Sequence, residues 1–113
     1  MIKELAEIDI RPGDEQAFEL AAAKAKELFL GSRGCIAFRL HRSIEQPSRY
    51  RLFVEWETIE DHMIEFRNSE AFVAWRQLCG PFFLSPPRVE HLMIVVEGRN
   101  AAGVGQSPGL IAS

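Results

Sequence analysis

Apolar and polar residues alternate along residues 2 to 10, with Ile2, Ala6, Ile8 and Ile10 facing one way and Lys3, Glu7 and Asp9 the other. Leu5 is the exception. A period of two predicts a strand with one buried face. After the break at Pro12-Gly13 the period changes. Phe18, Ala21, Ala22, Ala25, Leu28 and Phe29 recur at helical spacing while Glu15, Glu19, Lys24, Lys26 and Glu27 cover the other side, so a helix begins at Asp14, capped by Gly13 or Asp14. Gly31-Ser32-Arg33-Gly34 ends it. Alternation resumes in Cys35–Ile44, with Ile36, Phe38 and Leu40 opposed to Ala37, Arg39 and His41. A short turn at Gln46-Pro47-Ser48 then leads into a third strand, predicted to pair antiparallel with the second.

That third strand carries Tyr50, Leu52, Val54 and Trp56 on one face and Arg49, Arg51, Phe53, Glu55 and Glu57 on the other. Thr58, three residues ahead of Asp61, reads as a helix cap. Ile59, His62, Met63 and Phe66 follow on one helical face, which turns His62 inward. Ser69 opens a further helix that buries Phe72, Trp75 and Cys79 or Leu78, and Gly80-Pro81 closes it. Pro86-Pro87 leads to a last strand, residues 88 to 98, in which Leu92 to Val96 are apolar at every position.

Strand, helix, strand, strand, helix pair, strand is the order of a split β-α-β, ferredoxin-like α+β fold: four antiparallel strands with the helices on one face. The last strand is apolar on both sides, and Phe53 stands opposite Leu52 and Val54. A sheet face that helices leave bare and that is still apolar needs a cover, and a second copy of the chain is the simplest one, so a homodimer is expected. Residues 1–98 form the expected domain. Residues 99–113, rich in Gly, Ala and Ser, read as a flexible tail.

Composition narrows the function. A net charge of −3 without clustered Lys and Arg argues against nucleic acid. No stretch reaches the ~18 apolar residues of a membrane helix. The first ten residues lack the apolar core of a signal peptide, and Cys35 and Cys79 sit alone without a disulfide framework, so a cytoplasmic protein with free thiols is expected.

The spacings of His41, His62 and His91 match no metal motif, no glycine-rich phosphate loop occurs, and neither cysteine has a local activating partner, so no cofactor is expected. What remains is a cluster of aromatic and basic residues: Trp56, His62, Phe66, Arg67, Phe72, Trp75, Arg76, Phe82, Phe83 and His91. From their helical spacing Phe66, Phe72 and Trp75 read as core before binding surface, and Arg67 and Arg76 most simply as solvated partners of Glu60, Glu65 or Glu70. His62 is either a packed core residue or a proton-transfer group, and His91 either joins it or packs in a subunit contact.

Pro12-Gly13 with EQAFELAAA, SRGCIAFRLHRS, the long run VEWETIEDHMIEFRNSEAFVAWRQLCGPFF and the closing PPRVEHL, in this order, resemble the antibiotic biosynthesis monooxygenase family over residues 2 to 97. The resemblance implies a dimeric α+β barrel with a cavity between sheet and helices in each subunit. It also implies oxidation of small phenolic, quinol-type aromatics by O2 without metal, flavin or haem.

The strand tryptophan of the family matches Trp56, the histidine of WExxxxH matches His62, and FRxSxxFxxWR matches Phe66, Arg67, Ser69, Phe72, Trp75 and Arg76. On that likeness His62 is the expected base or proton relay, Trp56 shapes the cavity, and Arg67 or Arg76 holds the phenolate or a reduced oxygen species. The binding residues are Phe66, Phe72, Trp75, Arg76, Phe82, Phe83 and His91. Haem-degrading relatives carry an Asn on the first strand and a His on the last helix, where this chain is expected to hold Glu7 and Arg76. The family also includes isomerases, which leaves a non-oxidative enzyme on a small carbonyl metabolite, or a non-catalytic dimeric binding module, as the alternatives.

Overall fold

A computed structural model describes residues 1–101. Most of the tail expected from residue 99 lies outside the described residues. The chain runs through strand β1 (Ile2–Asp9), helix α1 (Glu15–Leu30), strands β2 (Cys35–Arg42) and β3 (Arg49–Trp56), a π-helical turn (Asp61–Phe66), helix α2 (Glu70–Cys79) and strand β4 (Arg88–Leu92). The four strands form one antiparallel sheet in the order β2-β3-β1-β4. This is the ferredoxin-like α+β arrangement that the order of elements predicts. No helix among the described residues is long and apolar enough to cross a membrane.

The alternation sorts the two sheet faces. Ala6 and Ile8 of β1, Ile10 just after it, and Tyr50, Leu52, Val54 and Trp56 of β3 are buried against α1, which contributes Phe18, Ala22, Ala25 and Phe29. The small side chains of Ala22 and Ala25 let the helix lie close to the sheet, and Phe29 fills the space this leaves. Its ring sits 4.6 Å from Phe66, 5.0 Å from Phe38 and 5.1 Å from Trp75. The opposite face is laced by ion pairs across neighbouring strands: Arg51 and Arg88 on Glu7, Arg49 on Asp9 and Arg39 on Glu55.

Three local departures from simple periodicity have visible causes. On β2 the register shifts between Cys35 and Ala37, so Ile36 is the extra residue of a bulge and stands exposed, while Cys35, Phe38 and Leu40 take the inner side. After β3, Thr58 Oγ1 accepts the Asp61 N–H at 3.1 Å, the cap the sequence predicts. The turn that follows is wider than an α-helix, with the Arg67 N–H reaching back five residues to the His62 carbonyl. Four-residue spacing therefore keeps His62 and Phe66 buried and leaves Ile59 and Met63 exposed, contrary to the α-helical expectation.

The third departure shortens the last strand. β4 stops at Leu92 because its partner Lys3 is next to the first residue of β1, so Met93 to Val96 have almost no strand left to pair with and stand exposed. Within one chain these residues have neither face dry.

Candidate active site

Seven of the ten predicted site residues line one cavity of about 180 Å³ between the inner face of the sheet and the helices: His62, Phe66, Arg67, Phe72, Trp75, Arg76 and Phe83. Glu4, Ala6 and Leu52 supply its sheet side, and Pro86, Pro87 and Val89 part of its rim. Arg67 and Arg76 are exposed at the same time, so they stand where the cavity meets solvent. Arg76 also lies 5.8 Å above the Phe72 ring.

The other three lie elsewhere. Trp56 is completely buried behind the cavity, its indole stacked on His62 at 5.3 Å and 17°. His91, half-buried on β4, stands behind His62 rather than on the lining. Phe82 packs 6.0 Å from Phe18 and is not among the lining residues. Its neighbour in sequence, Phe83, packs on the same Phe18 ring at 6.4 Å and lies 6.1 Å from Trp75, where it forms part of the cavity wall.

Glu4 is the residue that the alternation passes over. It occupies the inward position between Ile2 and Ala6, and only 5% of it is exposed. Its Oε1 accepts the Trp56 indole N–H at 3.0 Å and lies 3.3 Å from His62 Nε2, while His62 Nδ1 is 2.8 Å from His91 Nε2. A carboxyl group and two imidazoles thus form a line from the cavity to the edge of the sheet. Glu7, the β1 residue singled out for comparison with haem-degrading relatives, is on the far face with Arg51 and Arg88. The β1 carboxylate that meets the cavity is Glu4.

Burial sets the protonation states. It pushes the Glu4 carboxyl up to about 7, against the pull of the Trp56 hydrogen bond and the Arg67 charge. His62 is pushed down to about 4 by burial first, then by His91 and Arg67, and His91 is lowered by burial and Arg67. Near neutrality the contact is therefore a neutral imidazole beside a carboxyl group poised to gain or lose a proton, rather than an ion pair. Such a line can carry its protons in either direction: Glu4 O–H to Nε2 and Nδ1–H to His91, or both reversed. The three groups do not converge on a point, and among the described residues no trio of His, Cys, Asp or Glu is placed to hold a metal. Burial pushes the free thiols up, Cys35 to about 11 and Cys79 to about 12, which suits neither to nucleophilic work.

Residues 1–78 match the sequence profile described as antibiotic biosynthesis monooxygenase. The chain belongs to that family. YczJ of Bacillus subtilis (strain 168), an uncharacterized member by its name, is 39% identical over 95 residues, which span 84% of this chain and all of YczJ. A crystal structure from Bordetella bronchiseptica, provisionally named an antibiotic biosynthesis monooxygenase, is 48% identical and superposes with a TM-score of 0.82, covering 84% of this chain and 97% of the other. A similarly named protein from Nitrosomonas europaea shares the fold at 17% identity, with a TM-score of 0.73 over 85% of this chain and all of the other. Membership points to a monooxygenase-like enzyme or a binding module for small molecules.

Proposed function

We propose that the chain is a cofactor-independent monooxygenase that oxidises a small phenolic or quinol-type aromatic with O2 in the cavity between sheet and helices. The observation that carries this is the combination of an aromatic-walled cavity with a line of one carboxyl and two imidazole groups on one side and two guanidinium groups at its mouth. A cavity of about 180 Å³ is close to the ~150 Å³ void known to accept benzene, so it suits a single ring. Removing the phenolic proton makes the ring electron-rich enough to reduce O2, and Arg67 and Arg76 offset the negative charge of the phenolate and of reduced oxygen. Phenol and O2 give quinone and water: one oxygen atom enters the ring, the other leaves as water, and the substrate supplies all four electrons.

The working unit is proposed to be a homodimer, in which a second copy covers the exposed apolar run Met93 to Val96. The outer face of the sheet, which the pattern predicts to be apolar, carries ion pairs and does not by itself call for a cover. Light scattering at micromolar concentration is expected to give twice the chain mass, and a monomer refutes this part.

Oxygen uptake with a panel of one-ring phenols and hydroquinones tests the reaction. His62→Ala is expected to lower turnover by about 10²-fold or more, and unchanged turnover would make His62 a packing residue. Conversion of a small carbonyl compound without oxygen uptake would instead show an isomerase, and ligand-induced stabilisation without turnover a binding module.

A further inference from the structure

Both ring nitrogens of His62 already face protein partners, Nδ1 toward His91 and Nε2 toward Glu4, so neither is free to meet a ligand. Glu4 is placed differently. Its Oε1 accepts from Trp56 and faces His62, whereas Oε2 receives no hydrogen bond from any described residue. No buried side-chain nitrogen or oxygen among the described residues lacks a partner, so Oε2 is not sealed in the core and opens onto the cavity that Glu4 lines.

We propose that Glu4 Oε2 is the atom that takes the substrate's proton, and that His62 and His91 are positioning residues that hold the carboxylate and return it to its ionised form. This rests on reading the cavity as a phenol site. In the step, the phenolic O–H bond breaks and its electron pair stays on the substrate oxygen, while an Oε2–H bond forms. The negative charge passes from Glu4 to the ligand, so the cavity keeps its net charge and the phenolate arrives beside Arg67 and Arg76. The groups that face Glu4 are Trp56 from β3, His62 and Arg67 from the π-helical turn and its end, and Cys35 from β2, with His91 of β4 one step behind. Burial independently places Glu4 near neutrality, where a general base works best.

The test titrates the full chain with 4-cyanophenol just above neutral pH, following the ultraviolet band of the phenolate and, by calorimetry in buffers of different ionisation enthalpy, the protons released. Wild type is expected to show the bound phenolate with no proton released, because Glu4 keeps it. Glu4→Gln should either lose the phenolate band or release about one proton per ligand, and its oxygen uptake should fall about 10²-fold or more. Glu4→Asp, which keeps the charge one methylene further back, should retain a weaker band and guards against a folding defect. His62→Gln should keep the band but move the pH at which it appears.

A phenolate formed in Glu4→Gln without proton release, and lost in His62→Gln, would make the histidine the base and overturn the proposal. A wild type that binds no phenolate overturns it together with the phenol-site reading. Proton transfer as expected, without any oxygen uptake, refutes the oxidation alone and leaves Glu4 as the base of a different reaction.

Discussion

Glu4→Gln is also informative about stability, because it removes a titrating group with little change of shape. Burial raises Glu4 from 4.5 to about 7, which at about 1.4 kcal/mol per pH unit corresponds to about 3 kcal/mol. His62 falls from 6.5 to about 4, a displacement of the same size and opposite sign. For Glu4 the native advantage is complete below about pH 4.5 and is lost as pH rises to about 7. For His62 it is complete above about pH 6.5 and is lost as pH falls toward about 4.

Between about pH 5 and 7 the two oppose each other, and wild-type stability should change little through this pair. Glu4→Gln leaves the histidine unopposed. Relative to wild type it should lose about 2 to 3 kcal/mol between about pH 7.5 and pH 5. Urea unfolding at each pH measures this, and the surface carboxylates shared by both proteins cancel in the difference. Parallel curves for the two proteins would refute the raised Glu4 and with it the protonation scheme of the site.

Trp56→Phe keeps an aromatic ring over His62 but removes the N–H that favours the Glu4 carboxylate, so the acid limb of the turnover profile should move to higher pH; an unmoved limb would show that the hydrogen bond has no influence. Gly34→Ala should destabilise by about 2 to 4 kcal/mol in denaturant unfolding, since Gly34 has φ +77° and a Cβ there would fall 2.1 Å from the buried Asp61 carboxylate. Ser69→Ala removes the hydroxyl that accepts the Phe72 N–H at 3.2 Å and should cost about 1 kcal/mol without altering the pH profile of turnover.

Alternation along β1 and β3 and the 3.6-residue period of α1 made the sheet, its inner face and the main helix legible, because each of these stretches buries one continuous face. Glu4 escaped the same logic. A carboxylate in a strand is ordinarily taken for a solvent-facing residue, and what makes this one internal is its place in phase with Ile2, Ala6 and Ile8. That position on the apolar side was the available signal. Its partners lie 52, 58 and 87 residues away in sequence, at Trp56, His62 and His91; sheet register places the first and last and the π-helical turn places His62, so no local pattern joins them.

Ile36 illustrates a second limit. A bulge changes which of two neighbouring apolar residues points inward, here Cys35 rather than Ile36, and the hydrophobic pattern is indifferent to the choice. Met93 to Val96 illustrate a third, since a run apolar at every position predicts a strand dry on both faces, and β1 is too short to pair with it.

The wide turn at Asp61–Phe66 bears on how this stretch tolerates changes of length. A π-helical turn is in effect an α-helix carrying one surplus residue, and trimming one residue between 61 and 66 would let the backbone relax into ordinary α geometry without unfolding it. His62 and Phe66 would then stand three residues apart instead of four, which in α geometry is still one face of the helix. A deletion between these two side chains would thus leave both turned toward the core, whereas an insertion there, added to a turn that already holds its surplus residue, would separate them. The face that His62 and Phe66 share, rather than the number of residues between them, is what this stretch has to keep.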